Sequence, residues 1–208
     1  MANVFALPSL ATSLARWLGN QYAAAVIPNK PACTFSVVSS NQLAAGENPE
    51  ENPLLGQNQV TVYLYRATID PHLRTAGRLA NRDMNPVPLS LQAHILFSFW
   101  TANANTELLL LGWLMRALHE NPVLDRSSLD VDAAWTVEDV IHLIPEELSV
   151  EDMARIWDSL TPSYRLSVSY VARVVRLEAE RVSRSGAPVV AQRFIWQDRT
   201  AAELEATP

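Results

Sequence analysis

With 49% apolar and 18% charged residues over 208 positions, the chain cannot be disordered throughout and is long enough to bury a core without disulfide staples. Its net charge of −6, from 16 basic and 22 acidic side chains, argues against a general nucleic-acid binder, which needs many cationic contacts to phosphate. The single cysteine, Cys33, excludes an internal disulfide, and the longest apolar run, 108–115, falls far short of the ~20 residues of a membrane span. No basic leader precedes the first apolar stretch, so an intracellular protein is expected, with one domain over 1–196 and a polar tail at 197–208.

Leu10, Leu14, Trp17 and Leu18 recur at helical spacing and predict a helix over 9–24 with Ser9 as its cap. Residues 34–39 are rich in strand formers, and 41–58 read as a long loop holding Pro49, Pro53, Gly46 and Gly56. In the next strand, 59–68, Val60, Val62 and Leu64 point one way and Thr61, Tyr63 and Tyr65 the other. A second long loop runs to about residue 87 and carries His72, Arg74, Arg78 and Arg82.

The clearest alternation spans 89–100. Leu89, Leu91, Ala93, Ile95, Phe97 and Phe99 share one face, and Ser90, Gln92, His94 and Ser98 the other, with Leu96 breaking the pattern. One buried and one wetter face favours antiparallel pairing. A helix over 106–120 follows, stopped by Asn121-Pro122, with a stripe of Leu108, Leu111, Met115 and Leu118 widened by Leu110 and Leu114. Gly112 within it predicts a close backbone approach, since glycine costs a helix ~1 kcal/mol.

Residues 137–144 read as a short buried strand around a partly buried His142. Ser149 and Asp152 form a capping signature for a helix with Met153, Ile156, Trp157 and Leu160 on one face. The segment 164–181 is a strand in which Tyr164, Leu166, Val168, Tyr170 and Val174 share a face, while Val175 and Leu177 fall on the opposite one. That slip predicts a β-bulge. A last strand is expected over 189–196. The fold class is α+β: a mostly antiparallel twisted sheet of about 4–6 strands against 3–4 helices.

Signatures of catalysis and of cofactor binding are missing. The six glycines never cluster into a phosphate-cradling loop, and the four histidines, at 72, 94, 119 and 142, have no partner at metal-ligand spacing. Cys33 has no histidine near it in sequence. No enzyme, cofactor or metal is expected. Charge is uneven: 118–160 carries eleven acidic residues against two arginines, a net of −9, and 161–199 carries seven arginines against three acids, a net of +4. Such asymmetry suits contacts between copies or with charged partners.

Four segments and the one after them together resemble the tail-terminator, or cap, proteins of bacterial contractile injection systems. They are VTVYLYRATIDPHLR at 60–74, PVPLSLQAHILFSF at 86–99, LLLLGWLMRALHENPVL at 108–124, LSVEDMARIWDSLTPSYRLSVSYVARVVRLE at 148–178, and APVVAQR at 187–193. The resemblance implies a tail-terminator-like fold and a homohexameric ring on the distal end of tube and sheath, which stops polymerisation and ties sheath protein to inner tube protein. It implies neither nucleic-acid nor membrane partners, and assembly in the cytoplasm whether the particle stays there or is released. His72, Arg74, Arg78 and Arg82 are then candidate contacts to the tube or a neighbouring subunit, because guanidinium forks pair carboxylates. Val168, Tyr170, Val174, Val190, Phe194 and Trp196 are candidates for an edge that pairs with sheath arms. The alternative is a small adaptor or ligand-binding domain of the same fold with no ring.

Overall fold

The computed structural model describes residues 2–44, 52, 54–70, 88–160 and 163–177, without the side chain of Val174. The elements run α1 (Ala6–Ala24), β1 (Thr34–Val37), α2 (Ser40–Leu43), β2 (Gln59–Ile69), β3 (Leu89–Trp100), α3 (Ala104–Glu120), β4 (Val123–Leu124), a 3₁₀ turn (Val131–Ala133), β5 (Ile141–Glu146), α4 (Val150–Asp158) and β6 (Ser167–Leu177). The six strands form one sheet in the order β1-β2-β3-β6-β5-β4. Among the named strands only β1 and β2 pair in parallel and the other pairings are antiparallel, with one isolated parallel bridge between Ala2 and Leu177, and the α+β class holds.

One face of the sheet carries the larger core. Ile95, Phe97 and Phe99 of β3, Val60 and Val62 of β2, and Tyr170, Ala172 and Val175 of β6 meet Leu10, Leu14 and Leu18 of α1 and Leu110, Trp113 and Leu114 of α3. Tyr22, Phe35 and Trp113 interlock there with ring centroids 4.8–5.7 Å apart. Helix α1 starts three residues earlier than expected. Its cap is Phe5, which makes no side-chain bond, and Ser9 lies inside the helix, where its hydroxyl accepts the indole N–H of Trp135 at 2.9 Å. Lys30, the sole lysine, closes the other end by donating to the carbonyls of Tyr22, Ala23 and Ala25.

The opposite face is not wet. Leu96 and Trp100 are buried with Val38, Leu43, Leu54 and Trp157 in a second core beneath α2 and α4. Leu96 therefore breaks the alternation because both faces of β3 are covered. Helix α2, inside the expected loop, is closed by a reciprocal box in which Ser39 accepts from Gln42 N and the Gln42 side chain accepts from Ser39 N. Helix α4 matches its expected cap, with Ser149 Oγ accepting from Asp152 N at 3.0 Å.

Several expectations are corrected. In α3 the buried stripe is Leu110, Trp113, Leu114, Ala117 and Leu118, while Leu108 and Met115 are exposed. Nothing lies within 4 Å of a Cβ built on Gly112, so no backbone packs there among the described residues. Strand β5 begins at Ile141, leaving Val137 exposed, and His142 faces outward between the buried Ile141 and Leu143. The bulge in β6 is present: Ala172 opposes Ala93 and Val175 opposes Leu91, so Arg173 and Val174 together face Gln92. That extra residue returns Val175 and Leu177 to the same core as Tyr170.

Candidate functional site

Of the expected contact residues, His72, Arg74, Arg78 and Arg82 lie outside the described residues, as do Val190, Phe194 and Trp196 and the polar tail. Strand β6 is not an edge. It lies between β3 and β5, with Tyr170 opposite Ile95 on one side and Pro145 on the other, and Val168 opposite Phe97. Residues 169–173 of β6 are paired on both flanks and have no free ladder to offer a sheath arm, so Tyr170 is withdrawn as an edge contact; Val168 pairs with Phe97 of β3, and Val174 is part of the bulge. Among the described residues the outer strands are β1 and β4.

The described residues on either side of the arginine-bearing segment lie side by side. Strand β2 ends at Ile69, Asp70 N donates to Ser90 O at 2.9 Å, and β3 leaves from Leu89. Just inside these residues, on the second face, lies a polar cluster that sequence reading missed. The Glu146 carboxylate accepts from Tyr65 Oη at 2.6 Å, Ser169 Oγ at 2.7 Å and His94 Nδ1 at 2.9 Å. Because a carboxylate only accepts, Nδ1 carries a proton, and Nε2 is hydrogen-bonded to Thr68 Oγ1 at 3.1 Å. Four strands are thereby joined: β2, β3, β5 and β6.

Burial alone would raise the Glu146 carboxyl, but the hydrogen bonds from Tyr65, Ser169 and His94 outweigh it and hold the group below its ordinary value. Burial, with the Glu146 charge beside it, pushes the Tyr65 hydroxyl up to about 12. Thr68, His94 and Glu146 follow the hydroxyl–imidazole–carboxylate order of a nucleophile relay. The same carboxylate also accepts from Tyr65 and Ser169, so the cluster ties β2, β3, β5 and β6 together. Fastening strands is the chemistry this arrangement performs best. Burial likewise pushes the Cys33 thiol up to about 12, which leaves it protonated and unreactive at neutral pH.

A second feature opens at the Trp100 end of the sheet. Leu54, Leu55, Gly56, Gln57, Asn58, Trp100, Thr101, Ala102 and Arg165 line a cavity of about 420 Å³. The Arg165 guanidinium lies over the Trp100 ring at 5.1 Å, and its buried Nε has no hydrogen-bond partner among the described residues. The indole N–H of Trp157 is likewise unpartnered among them. No described helix is long and apolar enough to cross a membrane.

The molecule is an α+β sheet with helices on both faces, its strands β2, β3, β5 and β6 fastened by the Glu146 cluster. The chain belongs to the Pvc16 N-terminal domain family, whose model matches residues 9–191. This agrees with the tail-terminator resemblance of its sequence segments. Among solved structures it is similar to the PVC sheath/tube terminator of an extracellular contractile injection system in the extended state, at 15% identity and a TM-score of 0.49. That match covers 91% of this chain and 64% of the terminator, so the chain spans less than two thirds of that relative's length. It is also similar to the anti-feeding prophage cap, at 18% identity and a TM-score of 0.46, covering 67% of this chain and 50% of the cap. No curated protein matches it.

Proposed function

We propose that this chain is a structural terminator. It forms a six-membered ring on the distal end of the tube and sheath of a contractile injection system, stops their growth and links the last sheath layer to the last tube layer. The observation that carries the reading is the family match, which runs from α1 through β6 and beyond. The fold supports it physically: strands fastened on both faces give a rigid base from which a loop can grip a charged surface.

The loop holding His72, Arg74, Arg78 and Arg82 is the contact to the acidic surface of the tube or a neighbouring subunit, with its root held by the Glu146 cluster. With β6 an inner strand, the sheath-pairing edge falls to the segment holding Val190, Phe194 and Trp196. The protein assembles in the cytoplasm, as the particle is built there. Light scattering of the purified protein over a concentration series tests the ring. A species of about six times 23.1 kDa is expected. A monomer at every concentration would contradict a ring that forms in solution.

A further inference from the structure

We infer that two copies of this chain meet head to tail, the Arg165 pocket at one end of the sheet receiving the apolar, acidic corner at the opposite end of a second copy. The inference rests on the ring reading above and names the faces that build it. The Arg165 guanidinium lines the cavity over Trp100 and makes no hydrogen bond or ion pair among the described residues, with its Nε buried, so it is available to an incoming carboxylate. Around that cation the cavity walls are apolar, formed by Leu54, Leu55, Trp100 and Ala102. A fitting occupant carries apolar side chains beside a carboxylate.

The far end of the same sheet offers such a surface. Leu89 pairs with Leu177, Ala2 bridges Leu177, and Asn3 N donates to Ala133 O, which puts residues 2–5 and 131–133 together at the Leu89 end of β3. There Val4, Phe5 and Val131 are 80%, 58% and 77% exposed, an apolar grouping that a soluble surface seldom leaves uncovered. Beside them Asp132 is exposed, and its carboxylate makes no hydrogen bond or ion pair among the described residues. The corner also belongs to the stretch 118–160 with its net charge of −9.

The twelve residues of β3 separate the two surfaces by roughly 35–40 Å. Contacts between two different faces of one chain are heterologous, and they close into a ring when the rotation between copies permits. The occupant is therefore a second copy, chosen by complementary charge and by apolar surface on both sides.

Charge reversal tests this directly. Arg165→Glu and Asp132→Arg are made singly and together, and association is followed by sedimentation velocity, with thermal melts to check folding. Each single variant should raise the apparent dissociation constant at least about tenfold, and the double variant should recover most of the loss. Phe5→Ser, which alters no charge, should also weaken association. Single variants that assemble like the wild type, or a double variant that fails to recover, overturn the contact while leaving the ring standing. A monomeric wild type that sheath and tube proteins nonetheless capture overturns the contact and leaves the terminator reading intact.

Discussion

At the scale of residues, Glu146 is a partly buried charge held by several strands. It accepts three side-chain hydrogen bonds from three strands, and losing such bonds in a partly buried site costs about 1–3 kcal/mol. Because its folded pKa is depressed, its contribution is present above the ordinary value of 4.5 and disappears as pH falls through the folded value. Glu146→Gln should therefore lower stability by about that amount near neutral pH, and the gap to the wild type should close in acid. Urea melts of both proteins at pH 7 and pH 3.5 measure it, and a gap that does not narrow would refute the account. None of this was legible in the sequence, since positions 65, 68, 94, 146 and 169 have no spacing in common. Alternation puts Tyr65 and Thr68 on opposite faces; the bulge at Tyr65, between the Leu64–Ile95 and Arg66–His94 pairs, puts both beside His94.

At the scale of elements, α4 covers the second face through Trp157, which meets Trp100 at 6.3 Å and Tyr164 at 6.4 Å. Trp157→Ala should cost about 3–5 kcal/mol by opening a cavity there. Trp157→Phe should cost less than about 1.5 kcal/mol, because the indole N–H it removes bonds nothing among the described residues. Chemical denaturation of the two variants checks the ordering, and equal losses would contradict it. The capping serine and the apolar stripe of α4 could be read directly, because both are local signals. Strand β3 could be read for the same reason. Leu96 was a visible irregularity whose meaning, a second core, depended on elements distant in sequence. In α3 the leucines run almost all round, so periodicity could not choose between the Leu108–Met115 stripe and the Leu110–Trp113 one that is buried. The long, apolar β6 resembled an edge candidate only because strand order is set by pairing, which sequence alone does not carry.

At the scale of the whole molecule, the two ends of the sheet differ. One holds an arginine over an aromatic floor and the other an exposed apolar corner with an aspartate, neither charge being paired among the described residues. A chain with unlike ends can stack on itself, whereas a terminator must complete such contacts sideways and present nothing that lets the tube continue. The sequence resemblance reached the family because it drew on segments spread over most of the chain, and the family match spans residues 9–191. The surfaces that would serve the role could not be read that way, since they combine residues near positions 5, 55, 100, 132 and 165.

The most direct measurement is the length and end structure of tubes grown from purified tube and sheath proteins, viewed by electron microscopy with and without this chain. The account predicts that adding it halts elongation and leaves a ring of added density at one end of each particle. Growth that continues unchanged, with ends identical to those formed without the protein, would contradict it.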